Sequence, residues 1–316
     1  MVSYFKLYKN ILELNPVGII NNFILERYTN SANALRQVPI KIYYPQASGL
    51  FPVIIFSHGS GGSKNAFSYL GRFWASHGYI SIHPTHFGSD KSVFQSGGRE
   101  ALENSSKDPQ QWRDRAADIS FLIDSLKQLE RSIPPLTQKI DYSHIGVSGH
   151  SYGAYTAILM AGALVDIPEQ PNITFQDERA CAFLGISSQG SGTYGLTKSS
   201  WNEIQAPVMT VSGTKETGGK GKPKSWRLEP FKYMPPGNKY HTLIQNADHS
   251  SYNDYKRSTE ISKLEMQAIN DIHTYLQSAS IAFWDAYLKQ DNSAREYLKS
   301  KALQIYSNGK ASIFER

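Results

Sequence analysis

Residues 144–161 read HIGVSGHSYGAYTAILMA, and this stretch decides the fold. The β-rich run His144–Val147 passes through Gly149-His150-Ser151-Tyr152-Gly153 into an Ala-rich segment of helical pattern. A G-x-S-x-G pattern is short enough to arise by chance. Between a strand and a helix, however, it specifies a sharp turn that exposes the serine hydroxyl. Gly149 and Gly153 let neighbouring backbones approach where a Cβ would collide. The N-terminus of the following helix points at that hydroxyl and favours negative charge developing there. Ser151 is therefore the candidate nucleophile; the plain alternative is a Gly-Ser turn without chemistry.

Outward from this turn, short apolar runs alternate with helical stretches. The runs are Val38–Tyr44, Val53–Phe56, Tyr79–His83, His144–Val147, Ala182–Ile186, Val208–Val211 and Tyr240–Gln245. Most are continuous rather than alternating, as in parallel strands buried on both faces. Helical candidates lie at Ala66–His77, Arg113–Leu129, Tyr152–Ala163 and Thr259–Leu288. This order predicts an α/β fold: a mostly parallel central sheet with helices on both faces, joined by right-handed crossovers. Residues 1–30 read as an N-terminal segment and 31–316 as one domain. Loop composition marks Thr85–Trp112, Pro168–Asp177 and Thr214–Gly237. Loops leaving the carboxyl ends of the strands are expected to wall a ligand site.

A serine hydroxyl needs a base to take its proton. In hydrolases with this turn the chain order is Ser, then acid, then His. Asn246-Ala247-Asp248-His249-Ser250 follows the strand at Tyr240–Gln245, making His249 the candidate base. His241 lies within that strand and reads as structural; His273 lies in the C-terminal helix and reads as a surface residue. The acid is expected at the tip of the preceding strand, where Glu216 in Ser212-Gly213-Thr214-Lys215-Glu216 is the first carboxylate. A carboxylate there orients the imidazole and stabilises the imidazolium. Asp248 is the competitor, and a solvated Glu216 is the plain alternative. Ser57-His58-Gly59-Ser60-Gly61-Gly62 follows the strand Val53–Phe56, where the second oxyanion donor arises. The expected donors are the N–H groups of Ser60 and Tyr152. His58 reads as tying down this loop rather than holding a metal.

Composition bounds the rest. The chain has 316 residues, and about 150 residues per domain allows one or two domains. Thirty-three Lys and Arg against 27 Asp and Glu leave a charge of +6, too modest to suggest a nucleic-acid partner. The single Cys181 excludes an intrachain disulfide framework and a thiolate zinc cluster. No run approaches the roughly 18 apolar residues of a spanning helix. Residues 11–25, ILELNPVGIINNFIL, are apolar but interrupted, unlike a signal-peptide core. They read as packed on the domain, with an amphipathic face giving peripheral membrane contact as the alternative. A cytoplasmic location is expected.

The segments FSHGSGG, YLGRFWASHGY, GHSYGAY, SGTKE, NADHSSY and AFWDAYLK resemble the dienelactone hydrolase-like and platelet-activating-factor acetylhydrolase-like branch of the α/β-hydrolases. The resemblance runs from about Val38 to about Leu298, with the motifs in the family's order. Chlorophyll-cleaving esterases look similar at the nucleophile and oxyanion motifs. The resemblance implies an esterase with Ser151, Glu216 and His249 as its triad and no metal or organic cofactor. Two departures stand out. Dienelactone hydrolases proper use cysteine where this chain has Ser151, and the family's acid is usually Asp where this chain has Glu216.

The expected activity is hydrolysis of a carboxylic ester, with a lipophilic small molecule as substrate; thioesterases and peptidases share the same parts. A chlorophyll or acetyl-phospholipid ester is the narrower alternative, and a non-catalytic ligand-binding protein is the rival of another class. Trp112, Trp226 and His150 are the candidate substrate-binding residues, each with core packing as its plain reading. Lys215, Lys220, Lys222, Lys224 and Arg227 form a basic stretch that reads as a solvated loop or as an attractor for an anionic group.

Overall fold

The computed structural model describes Tyr8 and residues 14–29, 34–218, 222–254 and 262–316. Residues 11–13 of the apolar N-terminal stretch, Lys220, and residues 259–261 of the expected last long helix lie outside the described residues. In chain order the elements are β1 (Val17–Tyr28), β2 (Leu35–Pro45), β3 (Phe51–Ser57), α1 (Ser68–Ser76), β4 (Ile80–Pro84), α2 (Lys91–Lys107), α3 (Pro109–Asp124) and α4 (Leu126–Ser132). There follow β5 (Ile140–His150), α5 (Tyr152–Met160), β6 (Val165–Ile167), β7 (Gln170–Ile173), β8 (Ala180–Ile186), β9 (Val208–Gly213) and α6 (Glu229–Tyr233). The last are β10 (Lys239–Ile244), α7 (Lys263–Leu288), α8 (Asn292–Lys299), α9 (Ala302–Tyr306) and β11 (Ala311–Glu315).

Nine of the described strands form one sheet in the order β1-β2-β4-β3-β5-β8-β9-β10-β11. The run from β4 to β10 is parallel throughout, and β1, β2 and β11 pair antiparallel at the two ends. The pleat sends alternate side chains to two cores. On β3, Val53 and Ile55 face the core shared with α3 and α5 residues such as Ile119 and Ile158, while Ile54 and Phe56 face the core shared with Trp74 of α1 and Trp284 of α7. Continuous apolar strands are thus the sequence signature of a sheet covered on both faces. Among the described residues no helix is long and apolar enough to cross a membrane.

Several elements depart from the sequence expectation. Val17–Tyr28, set apart as an N-terminal segment, is the edge strand paired with β2, so the boundary at residue 30 does not separate it from the sheet. The expected loop Thr85–Trp112 contains α2. Its Ser- and Gly-rich sequence hides the helix, and Gly97 and Gly98 break it with non-helical backbone. Helix α3 begins at Pro109, ahead of the expected Arg113, because Asp108 caps it and Pro109 suits its first turn. The loop Pro168–Asp177 includes β7, and β11 closes the far edge of the sheet.

The chain passes from β3 to β4 on one side of the sheet and then crosses to β5 on the other side of β3. Where the order reverses, the carboxyl ends of adjacent strands splay apart, and open α/β sheets hold their ligands there. The Ser57–Gly62 loop leaves β3 and Ser151 leaves β5 at this point.

Candidate active site

Ser151 has φ 55° and ψ −120°, a backbone conformation that L residues rarely adopt. The turn closes because its flanking glycines leave room. A Cβ on Gly153 would sit 1.9 Å from the Ser57 carbonyl oxygen, and one on Gly149 would sit 2.3 Å from the Gly153 backbone. The Ser151 N–H donates to the Ile186 carbonyl at 2.9 Å, tying the turn to the end of β8.

His249 lies on the loop after β10, and its Nε2 is 2.9 Å from Ser151 Oγ. Its side chain remains 40 % exposed, so the pair is open to solvent. The loop is held from several sides. Asp248 Oδ1 accepts the N–H groups of Ser250 and Ser251, and the Tyr69 hydroxyl donates to the Tyr252 carbonyl. Asp254 caps α1 through the N–H groups of Ser68 and Tyr69. His150, from the turn itself, is buried and places Nε2 3.0 Å from the His249 carbonyl. The carbonyl only accepts, so His150 carries its proton on Nε2. Burial, and then the neighbouring His249, hold the His150 imidazole well below its ordinary pKa. His150 thus lies under the candidate base, with one ring nitrogen engaged by that carbonyl.

Glu216 follows β9 and is 2 % exposed. One carboxylate oxygen accepts the Gly213 N–H at 2.9 Å; the other, Oε2, lies 3.6 Å from His249 Nδ1. That separation is an electrostatic contact longer than a hydrogen bond, and catalytic contacts of this kind often tighten only with substrate bound. The same oxygen lies 2.7 Å from Arg227 Nε. Burial alone would raise the Glu216 pKa, but the facing His249 ring and the Arg227 charge outweigh it and hold the carboxyl below its ordinary value. Asp248 and Asp254 are committed to backbone N–H groups, which leaves Glu216 as the carboxylate facing His249 Nδ1.

Arg227 is the residue that sequence reasoning misplaced. It read as one of a basic cluster, yet it is 8 % exposed, and its Nη1 donates to the carbonyls of Ser187 and Ser188. Lys215 is exposed, while the Lys222 ammonium reaches the Ser191 carbonyl at 3.4 Å. The described members therefore do not form one solvated face. The one signal for Arg227 was its neighbour Trp226, an aromatic residue that brings its segment into the protein.

The two candidate tryptophans are also buried. Trp112, 4 % exposed, donates its indole N–H to the Ser106 carbonyl and packs edge-on to Tyr155. Trp226, also 4 % exposed, donates to the Ser191 carbonyl. Both indole N–H groups fasten loops, in keeping with the packing reading of Trp112 and Trp226. His273, expected at the surface, stacks on Tyr69 at 4.0 Å and reaches the Ser251 carbonyl, supporting the His249 loop from α7. His241 sits between the Thr210 and Ser212 hydroxyls within the sheet, in keeping with a structural role.

On the β3 side, Gly59 adjoins the serine, since a Cβ there would lie 3.4 Å from Ser151 Cβ. The Gly61 N–H donates to the Ser89 carbonyl, and the Gly62 N–H to the Gly59 carbonyl. The N–H groups of Ser60 and Tyr152 have no acceptor among the described residues. His58 accepts the His86 N–H at Nε2 and reaches the Gly59 carbonyl through Nδ1, so it ties the loop down as expected. Behind the loop stands a second serine–histidine–aspartate relay: Ser57 Oγ to His86 Nε2 at 3.0 Å, and His86 Nδ1 to Asp118 at 3.0 Å. All three side chains are buried, so this relay has no access to a reactant.

A covered, mostly parallel sheet with a serine on a strained turn after its central strand, and with Glu216 and His249 on loops from the same edge, defines an α/β-hydrolase. The chain belongs to the chlorophyllase family, whose family model matches residues 18–177, half of its length. That span holds Ser151 and the Ser57–Gly62 loop and ends before Glu216. The chain is 29 % identical over 138 residues to a platelet-activating factor acetylhydrolase of Bos taurus, covering 34 % of this chain and 31 % of that protein. With the counterpart of Cavia porcellus it is 28 % identical over 151 residues, covering 39 % and 34 %. The chain thus spans about a third of the length of these curated relatives. With cutinase est1 of Thermobifida alba it is 24 % identical over 215 residues, 67 % of this chain and 58 % of that protein.

Proposed function

We propose that the protein is a serine hydrolase of carboxylic esters. The observation that carries this reading is the 2.9 Å contact between His249 Nε2 and Ser151 Oγ at a strained turn, with the buried Glu216 carboxylate behind the imidazole. Ser151 Oγ attacks the ester carbonyl carbon and passes its proton to His249 Nε2. The carbonyl oxygen becomes an oxyanion held by the N–H groups of Ser60 and Tyr152. Collapse of the tetrahedral intermediate breaks the ester C–O bond, and the alcohol leaves with the proton from His249. Water then attacks the acyl-enzyme, giving its proton to His249. The second collapse frees the acid and returns that proton to Ser151. Glu216 holds the Nδ1–H tautomer and stabilises the imidazolium in both halves.

The substrate is a lipophilic ester. Its support is the company the chain keeps: a chlorophyllase family, and relatives named for an acetylated platelet-activating factor and for cutin. The test has two arms. A fluorophosphonate should label wild type and fail to label Ser151→Ala. A panel of p-nitrophenyl esters of rising acyl length, run beside a chlorophyll and an acetyl-phospholipid, should show turnover that Ser151→Ala abolishes. An unlabelled, inactive wild type refutes the enzyme reading and favours a ligand-binding role.

A further inference from the structure

One fully buried cation takes no part in the mechanism above. Arg115, on the inner face of α3, is 0 % exposed, and every hydrogen bond it makes goes to a neutral group. Nε donates to Thr156 Oγ1 at 2.9 Å, Nη1 to Ser89 Oγ at 2.7 Å, and Nη2 to Ser57 Oγ at 2.8 Å and to the His58 carbonyl. The guanidinium also lies over the Tyr152 ring, 4.5 Å from its centroid. Among the described residues no carboxylate stands at ion-pair distance from it. Asp118, one turn along the same helix, is taken up by Arg27, Arg36 and His86. Burying a charge without a counter-ion is costly, and an apolar side chain of similar volume would often fill such a space with no loss of stability. Stability alone therefore does not account for an arginine here.

Its partners show what it does instead. The His58 carbonyl belongs to the same peptide group as the Gly59 N–H, immediately before Ser60. Ser89, bound through its hydroxyl, accepts the Gly61 N–H on its carbonyl, immediately after Ser60. Thr156, bound through its hydroxyl, donates to the Tyr152 carbonyl. One planar fork thus grips the chain on both sides of Ser60 and the first turn of the helix that carries the Tyr152 N–H. Lysine has no such fork. A positive charge in this dry site also favours the negative charge that develops at the two N–H groups.

We propose that Arg115 is the positioning residue of the oxyanion site, setting the Ser60 and Tyr152 N–H groups at their working separation and adding a buried positive field beneath them. This rests on the ester-hydrolase reading. A misplacement of about 1 Å in such a site costs roughly a hundredfold in rate. The experiment measures kcat, KM, melting temperature and the Ki of a trifluoromethyl ketone for wild type, Arg115→Met, Arg115→Lys and Thr156→Val, with active sites titrated by fluorophosphonate. Arg115→Met should lose about a hundredfold in kcat per active site with KM within about twofold, and bind the ketone weaker in the same proportion. Arg115→Lys keeps the charge without the fork and should fall between it and wild type. If Arg115→Met does not fold, Arg115→Lys and Thr156→Val decide by the same split. A folded variant with wild-type kcat per titrated site, or a loss confined to KM or to melting temperature, overturns the proposal while leaving the esterase reading intact. A wild type that neither titrates nor turns over ester overturns both.

Discussion

Arg227 Nε lies 2.7 Å from Glu216 Oε2, closer than the 3.6 Å between that same oxygen and His249 Nδ1. The candidate triad acid is therefore shared between a permanent cation and the imidazole it faces. The groups around it are the Ser187 and Tyr252 hydroxyls, His150 beneath the base, and the Gly213 N–H. Arg227→Met removes a positive charge from this set and leaves the Glu216 charge to act on His249 alone. The carboxylate then loses one of the two partners that fix it, and the Ser187 and Ser188 carbonyls lose their donor. kcat/KM should fall by roughly tenfold as the acid shifts behind the imidazole. An unchanged kcat/KM in a folded variant would show that Arg227 serves only to pack its loop.

Glu216→Gln keeps the size of the side chain but presents an amide, which favours the wrong imidazole tautomer and leaves Arg227 buried opposite a neutral group. In a serine protease the comparable change costs about ten-thousandfold in kcat, and a loss of that order is expected. Glu216→Asp retains the charge with one methylene less reach and should keep much more activity than Gln. Asp248→Asn serves as the control, since Asp248 only closes its own turn. Near-wild-type kcat in Glu216→Gln together with a dead Asp248→Asn would move the acid.

Ser151→Ala and His249→Ala should each abolish esterase activity by several orders of magnitude, and the double variant should be no worse than either, because groups that act as a unit are not additive. Circular dichroism and thermal melting confirm that the variants fold. A tenth of wild-type activity remaining in Ser151→Ala would refute the nucleophile assignment.

Five buried histidines tie folding to pH. Burial lowers the pKa of His83 to about 3 and of His86 and His241 to about 4, and it carries His58 and His150 well below their ordinary 6.5. Below 6.5 the unfolded chain takes up protons that these folded imidazoles refuse, so acid favours unfolding. The contribution of these histidines is complete above about pH 6.5 and falls as pH drops toward 4, by on the order of 3 kcal/mol for His86 alone. The urea midpoint should therefore be lower at pH 5 than at pH 7, and His241→Gln should flatten that slope. A midpoint equal at the two pH values would contradict these burials.

The turn at Ser151 and the order of its partners were open to inspection in the chain itself. A strand, two glycines at a fixed spacing and a helix occupy consecutive residues, and the conformation they impose is local. His249 followed from its place after the last parallel strand, and Glu216 from its place after the strand before. The double-sided core was equally legible, because a strand covered on both faces carries apolar residues at every position, as Val53–Phe56 does. The edge strands escaped notice for the opposite reason. Val17–Tyr28 and Ala311–Glu315 carry exposed positions, and only their pairing with β2 and β10 makes them part of the sheet. What the tertiary structure alone decided is where the charges and ring nitrogens go. Beyond the adjacent Trp226, nothing in the local sequence separates Arg227, buried against Glu216, from the lysines around it. Nothing there joins Arg115 to Ser57, Ser89 and Thr156, or aims His150 at the His249 carbonyl. A secondary-structure element is set by neighbours along the chain, whereas the partner of a buried polar group is set by which distant segments the fold brings within about 3 Å of it.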